Sequence, residues 1–184
     1  MRIEQAKKVV NNHILWSMGA GAIPMPLVDI GAVTVVQIDM VRQLCDLYDI
    51  NFDRQSGKIL IGAVAGNTIV RMGASLIKGL PIIGTLLGSV SMVILSGAST
   101  YAIGQVFSRH FEQGGTLDNF DVETGKNDYE AAFEEGKDYA KELKKQHETT
   151  ETATQSDDQA PNTPTTEEDV FEKLEKLGVL KEKG

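Results

Sequence analysis

Apolar residues recur every three or four positions along the first half of the chain, and the recurrence breaks at three places. Ala6, Val9, Val10, His13, Ile14 and Ser17 share one face of a helix predicted over 3–18, which Gly19, Gly21 and Pro24 end. Ile30, Val33, Val36, Met40, Leu44 and Leu47 mark a second helix that closes near Tyr48. Asn51 to Ser56 reads as a turn, and a third helix follows from about Gly57 to Lys78. Gly79-Leu80-Pro81 breaks it, and a fourth helix runs from about Pro81 to Phe111.

The polar positions refine this picture. Pro26 suits the first position of the second helix, where no N–H donor is needed. Asp29 falls just inside, where a carboxylate meets the positive end of the helix dipole. Asp39, Arg42, Gln43, Asp46 and Asp49 gather opposite the apolar face, which predicts a solvated side with Asp39–Arg42 and Arg42–Asp46 pairs. Gln37 points into the apolar arc, so it needs a hydrogen-bond partner on another helix.

The third and fourth helices form a glycine-rich apolar hairpin, 59–108. The 30 residues between Lys78 and Arg109 carry no charge, and about 20 apolar residues suffice to cross a bilayer. Gly62/Gly66 and Gly84/Gly88 repeat the small-xxx-small spacing by which helices approach closely in lipid. Arg71 and Lys78 can snorkel to an interface. The favoured expectation is a membrane hairpin spanning with about residues 83–105; the alternative is the buried core of a soluble bundle.

The tail differs in kind. Residues 1–113 hold nine Lys/Arg against seven Asp/Glu, whereas 114–184 hold nine against nineteen. The net charge of −8 therefore belongs to the tail, which disfavours a nucleic-acid role. Asp128 to His147 reads as a charged helix with a thin stripe of Tyr129, Phe133 and Tyr139 or Ala140. Residues 149–166 have no large apolar side chain and are expected to be disordered. The last stretch, EEDVFEKLEKLGVLKEKG, reads as a short amphipathic helix.

Candidate chemistry is sparse. Cys45 stands alone, so an internal disulfide is excluded, and a quiet buried thiol is expected. His13, His110 and His147 lack metal spacing, and His13 reads as a helix-packing residue. GAGAIP follows no strand, and no GxxxxGK[ST] occurs. No cleavable signal peptide is visible. No catalytic residue, cofactor or metal is expected.

The stretch AIPMPLVDIGAVTVVQIDMVRQLCDLYDI resembles the signature of the YcjF-like, GTPase-associated bacterial family known as domain of unknown function 697. The matching positions are Pro24, Pro26, Asp29, Gln37, Met40, Leu44, Leu47 and Tyr48; where the family commonly has Gly after the Tyr, this chain has Asp49. The resemblance covers about residues 5–112. It implies a helical, membrane-associated protein, with any GTPase partner a separate chain. Residues 167–184 are similar to the first half of the C-terminal module called SHOCT.

The expected fold is all-α: a four-helix core over 1–113, a charged helical extension over 114–148, an acidic linker over 149–166 and a SHOCT-like helix over 167–184. The expected role is a non-enzymatic anchor or partner-binding module at the bacterial inner membrane, touching lipid, with a cytoplasmic tail that binds a protein partner. Self-association stays open. The alternative is a cytoplasmic helical adaptor whose hairpin is a buried core or inserts only when triggered.

Overall fold

The computed structural model describes the backbone over residues 2–20, 28–79 and 85–153, together with Glu172 and Lys176; side chains are described over 2–20, 31–66, Thr68 and 92–146. Among these residues the chain is all-helical: α1 (Arg2–Ala20), α2 (Val28–Tyr48), α3 (Arg54–Gly79), α4 (Thr85–Glu112) and α5 (Val122–Ala153). The SHOCT-like stretch lies outside the described residues, apart from an ion pair between Lys176 and Glu172 at 2.6 Å.

The four helices of the core begin and end close to the breaks in the apolar pattern, and two starts have caps that shift them. Asp53 accepts the Ser56 N–H at 2.7 Å, so α3 begins at Arg54 and not at Gly57. Asp121 accepts the N–H groups of Glu123 and Thr124 and the Thr124 hydroxyl, so α5 begins at Val122. α5 then continues through residues 149–153, which the sequence reading assigned to the linker.

The helix ends are also specific. Ile50 N–H donates to the Cys45 carbonyl at 2.9 Å and Asp49 adopts φ 60°, which closes α2 in a Schellman turn. Gly115 to His110 at 2.9 Å, with Gly114 at φ 81°, closes α4 the same way. Asp49 therefore occupies a left-handed position that glycine takes at lower cost.

The helices alternate in direction. Arg2 meets Asp49 and His13 meets Asp39, so α1 and α2 run antiparallel. Met18 lies at Gly97 and Val10 at Gly104, so α4 opposes α1; Gly136 and Ala140 lie at Ala98 and Gly97, so α5 opposes α4.

α4 is the centre. Ala98, Thr100, Ala102, Ile103 and Phe107 are fully buried, between α1, α2 and α5. The apolar stripe of α5 supplies Tyr129, Phe133 and Ala140 to the same core. Each large side chain buried there contributes about 1.5–3 kcal/mol.

Two expectations about the hairpin need correction. First, no residue from 96 to 108 is exposed, and the helix that covers α4 on one side, α5, carries outward Glu130, Glu134 and Glu135. That stretch is enclosed by protein, so a lipid-facing span over 83–105 is not supported. Among the described residues, no helix is long and apolar enough to cross a membrane. Second, a Cβ at Gly62 or Gly66 would meet no atom within 4 Å, so close packing does not occur at that pair. It occurs instead at Gly97 and Gly104, where a Cβ would come within 2.7 and 2.6 Å of Met18 and Val10, and at Gly136, where it would come within 2.9 Å of the Ala98 carbonyl. Gly84 lies outside the described residues, and Gly88 lies in the described backbone of α4.

Candidate functional site

Among the described residues, most of the buried polar side chains fall into two networks, one at the α1–α2 interface and one where four helices converge. The first is built on Asp39. It is 5% exposed, not solvated as its neighbours Asp46 and Asp49 are, because α1 lies across this part of α2. His13 donates to Asp39 Oδ2 from Nε2 at 3.1 Å, and its Nδ1 donates to the Val9 carbonyl at 2.7 Å. Arg42 donates to Asp39 Oδ1 at 2.9 Å and Gln43 to Oδ2 at 2.9 Å. The Asp39 carboxylate holds the Arg42 guanidinium above its ordinary range. Arg42 reaches Asp46 as well, at 3.2 Å. Net positive and negative groups thus compensate in a site where an unpaired charge would be costly.

The second network centres on Gln37. Its Nε2 donates to Ser99 Oγ at 2.9 Å and to Thr100 Oγ1 at 3.2 Å. Thr100 donates to Ser17 Oγ at 2.6 Å, and the Tyr129 hydroxyl donates to Ser99 Oγ at 2.9 Å. One glutamine and four hydroxyls tie α1, α2, α4 and α5 together, all nearly out of solvent. Burial pushes the Tyr129 phenol up to about 12, against a smaller opposite effect of its bond to Ser99.

The other motif positions separate into core and boundary. Met40 and Leu44 are fully buried in the main core. Tyr48 donates to Glu112 Oε1 at 3.0 Å and joins the ends of α2 and α4; burial, then this bond, pushes its phenol up to about 12. Asp29 lies in the first turn of α2, with its side chain outside the described residues, and Pro24 and Pro26 lie outside them altogether. Five of these eight residues of the signature, Gln37, Met40, Leu44, Leu47 and Tyr48, therefore serve packing or interhelical bonds.

Cys45 is fully buried, and burial pushes its thiol up to about 12, which leaves it protonated at neutral pH. Among the described residues, no group of three His, Cys, Asp or Glu could hold a metal. His110 donates from Nε2 to the Thr116 carbonyl at 2.9 Å and packs edge-on against Phe120, which fixes the loop after α4.

The roles of His13 and Ser17 were missed as bonding partners, although both fall on the periodic face of α1, four residues apart. A polar residue at a core register is a signal that a partner must exist, as it is for Gln37. Ser99, Thr100 and Tyr129 carry no such signal in a sequence of small residues and scattered aromatics.

Comparison with known proteins follows this geometry. The family profile described as "Domain of unknown function (DUF697)" matches residues 1–127. A relative described as "Magnetosome membrane protein 22", from Magnetospirillum gryphiswaldense, is 34% identical over 144 residues, covering 76% of this chain and 74% of that protein. No solved structure matches.

Proposed function

The chain belongs to the DUF697 family, and on that premise we propose that it is a non-enzymatic, membrane-associated helical module that holds a partner at a bacterial membrane. The observation that carries this reading is the 34% identity, over most of both chains, to a protein described as a membrane protein. The buried polar networks support it in a second way. Their groups bond one another and leave no reactive atom presented to solvent, which suits a scaffold better than a reaction centre.

The partner side of the reading rests on charge. The region from 114 onward is strongly acidic, and a partner with a basic face would be drawn to it. A separate GTPase is the partner class that the family resemblance suggests.

Fractionating cells that express the full chain tests the membrane role. The protein is expected in the membrane pellet and is expected to stay there through a high-salt wash. Recovery in the soluble fraction without a wash would overturn the reading. A second reading, a soluble adaptor with α4 as its core, is favoured by one observation, the enclosure of residues 96–108. The same experiment decides between them.

A further inference from the structure

We infer that α3 is the helix that meets the membrane, lying along an anionic bilayer surface on the side that carries Arg54, Lys58, Ile59 and Gly62. This rests on the membrane reading above and adds the surface and the lipid chemistry.

The rest of the chain leaves one side of α3 open. Gly57, Ile61, Val64 and Ala65 are buried, and α2, α4 and α5 all pack on this helix. With those neighbours in place, Gln55, Lys58, Ile59 and Gly62 stay exposed. Their spacing sets them away from the buried four. Ile59 is 60% exposed, more than any other large apolar side chain among the described residues. A Cβ at Gly62 or Gly66 would meet nothing within 4 Å, so no neighbouring helix lies over the next two turns. In sequence, the uncharged line continues at Val70, Gly73 and Ile77, at spacings of four, three and four.

Charge indicates what covers this side. α3 has Arg54, Lys58, Arg71 and Lys78, and no Asp or Glu. Each of the other four helices has at least one carboxylate, such as Glu4, Asp39, Glu112 and Glu123. Arg54 and Lys58 are exposed and form no ion pair with any described residue, whereas Lys126, Lys137 and Lys141 of α5 all do. Asp53, just before the helix, is engaged by the Ser56 N–H. A second copy of α3 would set cations against cations. Phosphate headgroups would set them against opposite charge, and the boundary with the acyl chains would take Ile59. α5 packs on the buried side of α3, where a Cβ at Gly125 would come within 3.3 Å of Val64. Its outward Glu130, Glu134 and Glu135 are therefore held off the phosphates by the thickness of α3, about 10 Å.

Flotation of the full-length protein with vesicles tests this, using phosphatidylcholine alone and phosphatidylcholine–phosphatidylglycerol mixtures. The wild type is expected to float with the mixed vesicles and to partition about ten-fold less onto phosphatidylcholine alone. On the mixed vesicles, Ile59→Glu and the double variant Arg54→Gln/Lys58→Gln are each expected to lose about ten-fold in partitioning. Ala131→Glu, which adds the same charge at an exposed position of α5, is expected to float as the wild type does. Helical circular dichroism checks that the variants fold, and sedimentation without lipid reads self-association. Equal flotation of wild type and Ile59→Glu, equal loss in Ala131→Glu, or equal binding to the two kinds of vesicle overturns the inference and leaves membrane association standing. So does a wild-type dimer that Ile59→Glu dissociates, which would give this side to a second copy. A wild type that floats with neither vesicle overturns the membrane reading, and this inference with it.

Discussion

Nε2 of His13 on α1 lies 3.1 Å from Oδ2 of Asp39 on α2, and both side chains are almost wholly withdrawn from solvent, at 4% and 5% exposure. The pair joins the first two helices across a separation of 26 residues. Removing one partner strands the other in a dry interface. Asp39→Ala is expected to cost about 3–5 kcal/mol in chemical denaturation, and His13→Leu in the Asp39→Leu background to cost much less than the two single changes summed. Additive losses would show that the bond contributes little.

Gly136 and Gly62 make an opposed pair. Gly136 faces the Ala98 backbone, so Gly136→Ala forces α5 off α4 and is expected to destabilise by about 1–3 kcal/mol. A Cβ at Gly62 meets open space inside a helix, so Gly62→Ala is expected to stabilise by up to about 1 kcal/mol. Thermal melts of both variants check this, and a stabilised Gly136→Ala would contradict the close crossing.

Asp49→Gly relieves the left-handed backbone at the end of α2, where φ is 60°. The side chain loses only an exposed pair with Arg2, which is worth little. A gain of about 1 kcal/mol in unfolding free energy is expected. An unchanged or lower value would mean that the Arg2 pair matters more than the strain.

Alkali should unfold the bundle from its buried acids. Cys45 and Tyr129 are pushed from ordinary values of 9.0 and 10.0 to about 12 each, in both cases chiefly by burial. A raised folded value favours the protonated form, so this stability is whole below the unfolded value and drains as pH rises through the folded one. The urea midpoint is expected to fall between about pH 9 and about pH 12, and to fall less in Tyr129→Phe. A flat profile would mean that these groups ionise freely in the folded chain.

The helix breaks were legible because glycine, proline and the loss of period coincide at Gly19–Pro24, Asn51–Ser56 and Gly79–Pro81. The need of Gln37 for a partner was legible for a related reason: an amide in an apolar arc has few alternatives. The burial of Asp39 was not, since Arg42 and Asp46 at helical spacing describe a solvated face equally well. What decides it is α1, whose position over α2 is a tertiary fact. The glycines misled in the same way. Spacing marks where helices could approach, but only packing tells whether Gly62 or Gly104 has a neighbour.

The Ser17–Thr100 bond spans 83 residues, and the Tyr139–Asn11 bond spans 128. During synthesis α1 therefore leaves the ribosome long before α4 and α5 exist to cover it. Its apolar face, with Ile14 and Met18, must wait through most of translation. Such non-local closure slows folding and leaves the nascent chain open to association. Of the five helices α1 to α5, the last made is the one that shuts the core.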